Sequence, residues 1–129
     1  MIKVVDEKLY EIVCGWFKKR GAQPFSLAGL SKRAYIVFQN DIPVVCAVLH
    51  KDETSTFGQI GITISDPDVK GKIRDESFDE LYDHIFKVAK GFGCETLLAL
   101  TSNKSLIKRY NKKGFVVMDE NMVHLYKNL

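Results

Sequence analysis

The chain has 129 residues, 46% hydrophobic and 27% charged, enough for one apolar core and ordinary for a globular domain. Its 19 basic and 16 acidic residues are interspersed, and the net charge of +3 is too mild for a nucleic-acid-binding stripe. No apolar run reaches the length of a membrane span and the N-terminus lacks a signal-peptide core, so a cytoplasmic protein without membrane contact is expected.

With no repeat, low-complexity segment or linker, residues 1–129 are expected to form a single domain. Ile2–Val5 reads as a short strand. Asp6 can then cap a helix to about Arg20, with Leu9, Ile12, Val13, Trp16 and Phe17 on one face and Gly21 as its stop. Lys18-Lys19-Arg20 reads as a solvated face. Residues 22–32, with Pro24 and Gly29, read as a loop or a short helix. Ala34–Gln39 and Ile42–Leu49 form a hairpin around Asn40-Asp41, and Phe57–Ile64 completes a meander. Gly58 and Gly61 within that third run suggest a bulge or a close backbone approach.

Beyond Asp66-Pro67, residues 69–76 read as a charged loop. Ser77 is expected to cap a helix, with Glu80 completing a capping box. Phe78, Leu81, Tyr82, Ile85, Val88, Ala89 and Phe92 give that helix one apolar face. A strand at Thr96–Thr101 follows, then a short helix carrying Leu106, Ile107 and Tyr110 on one side and closed by Gly114. Strands at Phe115–Met118 and Met122–Lys127 are expected to end the chain. A meander followed by a βαβ crossover implies an α/β fold with a mixed sheet of about seven strands and helices on both faces. The crossover would leave a helix N-terminus at a cleft, which suits a phosphate.

Cys14, Cys46 and Cys94 lie far apart without a CxxC pair, against both a disulfide framework and a metal site. Each reads as a small buried hydrophobe. By spacing alone Tyr110 is either a core tyrosine or an acid catalyst just past a strand end.

This order of elements, with Asn103-x-x-Leu106-x-x-x-Tyr110-x-Lys112-x-Gly114-Phe115, resembles the Gcn5-related N-acetyltransferase superfamily, over nearly the whole chain. Leu106 stands where that motif usually has alanine, and Arg109 where it has an apolar residue; neither change removes a functional group. Ile64–Pro67, Asn103–Arg109 and Asp119–Lys127 also resemble small acetyltransferase-like proteins encoded by phages, which would place the chain in a host cytoplasm. The resemblance implies acetyl-CoA as cosubstrate and a primary amine, on a small molecule or a protein, as acceptor. It implies pantetheine pairing near Thr63, Ile64 and Ser65, and pyrophosphate on the loop from Lys70 to Ser77, including Gly71, Lys72 and Arg74. Asn103 would contact the cofactor, and Tyr110 would protonate the departing thiolate.

Two departures weaken the match. The glycines that let amides approach the phosphates are replaced: without a gap from Asp66-Pro67, Ile73 and Asp75 fall in their places, and counted backward from the long helix, Asp75 and Ser77 do. Phe57–Ser65 also contains no carboxylate or imidazole to serve as base. His50, Asp52, Glu53 or Asp66 could serve from neighbouring positions, but each also reads as a surface residue, and His50 and His124 also read as ordinary strand-end histidines. The alternative is therefore a catalytically inactive binding module, such as a host-factor inhibitor. The acceptor and the oligomeric state are not readable from the sequence.

Overall fold

Strands that are apolar at nearly every position must be covered on both faces. The two that read this way, β2 (Ala34–Gln39) and β3 (Ile42–Lys51), lie inside the sheet. The computed structural model describes residues 1–24, 31–123, 125, 127 and 129, in two compact units, Met1–Ala99 and Leu100–Leu129. In the first unit β1 (Ile2–Val4), β4 (Phe57–Ser65) and β5 (Thr96–Ala99) complete a five-stranded sheet in sequence order. Neighbours are antiparallel except β4 and β5, which run parallel. Asn40 (φ 50°) and Asp41 (φ 64°) both turn left-handed, matching the strand twist and closing β2 onto β3.

Helix α1 (Glu7–Lys19) begins where expected, Asp6 accepting the Leu9 N–H at 2.9 Å. Its Val13 and Trp16 bury against Ala34, Ile36, Cys46, Val48 and Ile64 on one sheet face. Helix α2 (Lys72–Gly91) covers the other face against β2 and β3, with Leu81, Tyr82 and Ile85 fully buried. Tyr35 and His84 meet edge-on there, ring centroids 4.6 Å apart.

The expected start of this helix at Ser77 is overturned. Gly71 is the N-cap; Lys72, Arg74 and Glu76 are good helix formers, and Asp75 carries its negative charge in the first turn, where the helix dipole favours it. Ser77 sits inside the helix, fully buried, its Oγ donating to the Ile73 carbonyl at 2.7 Å. That back-bond satisfies a serine hydroxyl within a helix and removes its reason to cap one.

The second unit holds α3 (Lys104–Lys112). The expected strand at Phe115–Met118 does not form, nor does any described residue of 122–127 lie in a strand. Five strands, not seven, are therefore present among the described residues. An apolar run becomes a strand only with a neighbour to complete its ladder, and Val116 (88% exposed) and Met118 (82%) have no apolar cover. His124, Tyr126 and most of the 22–32 segment lie outside the described residues. Among the described residues no helix is long and apolar enough to cross a membrane.

Candidate active site

Two geometric facts about β4 organise the first unit. Strand β5 pairs only with Phe57 to Ile60, so from Gly61 to Ser65 no described strand lies on that side of β4. On the other side the register with β3 shifts: Ala47 faces Thr63 but Leu49 faces Ile60, leaving Gly61 and Ile62 opposite Val48. This is a bulge, which bends β4 where β5 stops accompanying it. The glycines anticipated as a bulge or close approach are both. A Cβ on Gly58 would meet Leu97 at 3.0 Å and the Cys94 Sγ at 3.2 Å, and Gly61 lies in the bulge itself.

Alternation along β4 sorts the three residues expected to meet pantetheine. The Asp66 N–H donates to the Val44 carbonyl at 2.8 Å, so Ile64, two residues before it, also faces β3 with its backbone. Thr63 and Ser65 turn their backbone groups the other way. The Ser65 carbonyl accepts two bonds from Arg20, from Nε at 3.2 Å and Nη2 at 2.9 Å, and Nη2 also donates to the Ser65 Oγ at 2.9 Å.

Beyond Ser65 the chain turns through Asp66, whose Oδ1 accepts the Asp68 N–H at 2.9 Å. Lys19 spans to this turn, 2.6 Å from Asp68 and 3.8 Å from Asp66. Its hydrogen bond holds the Asp68 carboxyl below the usual range, with Lys70 adding a smaller pull in the same direction. Lys19 and Arg20, read from sequence as a solvated run, thus tie the end of α1 to the end of β4.

Gly71 opens α2 with φ 71°, so Lys72, Ile73 and Arg74 form its first turn, whose N–H groups have no acceptor within the helix. Lys70 and Lys72 are exposed, and Lys72 is 3.6 Å from Glu76. Arg74 is half-buried, its Nε buried without a hydrogen-bond partner. Thr63, Ile64, Ser65, Lys70, Gly71, Lys72 and Arg74 therefore follow one another along the end of β4 that β5 does not accompany, into α2. Ser77 does not join them; its hydroxyl points back into the helix.

His50, near the end of β3, is paired with Gln59 and exposed. It continues the Cys46–Val48 series on the face covered by α1. A Cβ on Gly61 would stand 2.8 Å from its Nε2 and 2.9 Å from its Cδ2, so the imidazole lies directly on the bulge. The only local signal was the glycine itself. An open hollow of about 280 Å³ adjoins, lined by His50, Lys51, Asp52, Phe57, Gly58 and Gln59. Asp52 is held below the usual carboxyl range first by the Thr54 N–H (2.8 Å) and then by the Thr54 hydroxyl (2.9 Å).

In the second unit Asn103 is the α3 N-cap, its Oδ1 accepting the Leu106 N–H at 3.1 Å. Tyr110 is 6% exposed, about 10 Å further along the axis at 1.5 Å per residue. The helix closes as a Schellman motif: Phe115 N–H to Tyr110 C=O at 3.0 Å and Gly114 N–H to Asn111 C=O at 3.1 Å, with Gly114 at φ 94°. The hydrophobic contact of that motif is Tyr110 on Phe115, centroids 4.9 Å apart. The motif's Tyr, Gly and Phe are thus one local structure that fixes the tyrosine ring.

Among the cysteines only Cys46 is buried, which pushes its thiol up to about 12 and removes it as a nucleophile; Cys14 and Cys94 are half-buried. No group of three or more metal-binding side chains occurs among the described residues.

No family model and no curated protein matches the chain. Solved structures do. The ribosomal-protein-S18-alanine N-acetyltransferase of Escherichia coli superposes with TM-score 0.67 at 18% identity, over 88% of this chain and 76% of that one. A Bacillus halodurans transcriptional regulator gives 0.72 at 14%, over 98% and 99%. The Neisseria gonorrhoeae N-acetylglutamate synthase, complexed with coenzyme A and N-acetyl-glutamate, gives 0.72 at 19%, over 95% of this chain and 30% of that one. A mixed sheet covered by helices on both faces, superposing on these structures, gives this chain the fold of the Gcn5-related N-acetyltransferases.

Proposed function

We propose that the protein is an acyl-CoA-dependent N-acyltransferase that moves acetyl from acetyl-CoA directly to a primary amine of a small molecule or a protein. The observation carrying this reading is the β4 edge left open by β5 beyond Ile60, running straight into the first turn of α2. An extended chain with amides, such as pantetheine, can pair with an open strand edge as a further strand would. The pyrophosphate that follows it suits the N–H groups after Gly71, with Lys70 and Arg74 as counter-charges; Lys72 divides its charge with Glu76. Arg20 stands at the same corner, already aimed at Ser65. The likeness to a synthase structure that contains coenzyme A supports the cosubstrate.

In this reading the amine nitrogen attacks the thioester carbonyl, a C–N bond forms, and the C–S bond breaks. A backbone N–H of β4 steadies the developing oxyanion. The Tyr110 phenol gives its proton to the leaving thiolate and is reprotonated from solvent. Asn103 sets the start of the helix that carries it, in addition to the cofactor contact the motif implies. The chain is cytoplasmic and acts as one domain.

The second reading, a non-catalytic binding module, is favoured by Ile73 and Asp75 at the glycine positions and by the absence of an acid on β4. A fold neighbour named as a transcriptional regulator is compatible with it. Thermal melting with acetyl-CoA separates the two. Acetyl-CoA at a hundredfold its dissociation constant stabilises a binder by about 2.7 kcal/mol. An unchanged melting temperature at millimolar acetyl-CoA refutes the transferase.

A further inference from the structure

We propose that His50 is the general base that takes the proton from the acceptor amine, with the amine entering through the hollow beside it. The proposal rests on the acyltransferase reading and supplies the group that a search along β4 does not find.

Three independent observations meet at one point. Gly61 is the first residue of β4 without β5 beside it, so it marks the end of the open edge nearest the sheet centre. It also belongs to the bulge, where the ladder is interrupted and backbone groups are redirected. The His50 imidazole occupies the space above it, within 3 Å of where a Cβ would be. Any larger residue at 61 would displace the ring, so the glycine and the histidine form one arrangement. The ring is exposed, leaving it free to meet a substrate rather than to fill the core.

The hollow next to it fits an amine. Asp52 on its wall is an exposed carboxylate, its carboxyl held below the usual range by its bonds to Thr54, and a negative charge there draws in an ammonium. Phe57 and Gln59 supply an apolar wall and a neutral amide, while Lys51 directs its Nζ elsewhere, onto the Phe92 ring at 5.6 Å. The hollow is open to solvent, which suits a slender aliphatic amine or a flexible lysine or amino-terminal segment.

The proton count closes. The acceptor arrives as R–NH₃⁺ and gives one proton to the His50 imidazole, which passes it to solvent. The neutral nitrogen attacks the thioester carbonyl. A second proton leaves to solvent as the tetrahedral adduct collapses, Tyr110 protonates the thiolate and takes a proton back from solvent, and the third hydrogen stays on the amide. The products are R–NH–acetyl, CoA–SH and one proton.

The test uses His50→Gln and His50→Ala, with spermidine, glucosamine and a short peptide with a free amino terminus as acceptors, reading CoA thiol release. Wild-type protein is expected to release CoA with at least one of them; no release with any overturns the acyltransferase reading itself. Given that release, both variants should keep the acetyl-CoA-induced melting shift and a KM for acetyl-CoA within twofold. Their kcat should fall at least a hundredfold. Imidazole at tens of millimolar should restore turnover to His50→Ala in proportion to its concentration. A kcat within threefold of wild type overturns the assignment while leaving the acyltransferase standing. So does a fall that imidazole does not relieve, because a merely structural histidine would behave that way.

Discussion

Substituting Gly61 by alanine probes the bulge and the imidazole together. The added methyl would lie 2.8 Å from the His50 Nε2, whereas ordinary contact begins near 3.4 Å, so the ring must retreat by about 0.6 Å or swing aside. The nearest backbone atom, the Val48 carbonyl oxygen, is 3.6 Å away and needs no adjustment. Only the end of an exposed side chain therefore has to move, and alanine also loses less backbone entropy than glycine in a strand. Stability should change by less than about 1 kcal/mol. Turnover is another matter: displacing a reacting group by a fraction of an ångström to 1 Å costs roughly ten- to a hundredfold. Urea unfolding and CoA release on the same preparation give both numbers. Unchanged turnover would refute the placement of His50 at the reacting centre. A stability loss above about 2 kcal/mol would show that the ring is not the part that yields.

Tyr110→Phe keeps the ring packed on Phe115 and removes only the hydroxyl, so kcat should fall while acetyl-CoA affinity stays within twofold; steady-state kinetics with chemistry rate-limiting checks this. Arg20→Met removes three hydrogen bonds to Ser65 from an exposed side chain, and urea unfolding should show a loss of about 1 kcal/mol. No loss would mean the contact is idle. His84 has its pKa lowered, first by desolvation, then by Lys87, with Glu80 pulling the other way. The fold thus holds a neutral imidazole that the unfolded chain protonates more readily. This contribution is complete above the unfolded value of about 6.5 and is lost as pH falls through the lower, folded value. Urea midpoints at pH 7.5 and 5.5 should differ less in His84→Gln than in wild type, and equal differences would exclude His84 from the pH dependence.

The elements were legible wherever local chemistry decides them. Asp6, Asn40-Asp41 and Gly114 each did what their side chain or backbone freedom dictates, because caps and tight turns are settled within a few residues. Ser77 misled because a serine three residues before a glutamate is equally a capping box or a buried back-bonded residue. Only Gly71 upstream, with its left-handed backbone, decides between them. Phe115–Met118 misled because an apolar run says nothing about whether a neighbour completes its ladder. In the site, Lys70 and Gly71 could be placed near the α2 start from the chain order. Arg20 could not: its partner Ser65 is 45 residues away, and nothing near Arg20 distinguishes it from Lys18. The pairing of His50 with Gly61 was likewise hidden, since it depends on a β3–β4 register broken by the bulge.

The central claim is that the open edge of β4, from Gly61 to the first turn of α2, holds acetyl-CoA. Amide hydrogen exchange with and without acetyl-CoA measures this segment by segment. The account predicts slowed exchange in peptides covering residues 61–74, with β1 and β2 unchanged. Acetyl-CoA that leaves 61–74 unprotected, or that protects only other segments, contradicts it.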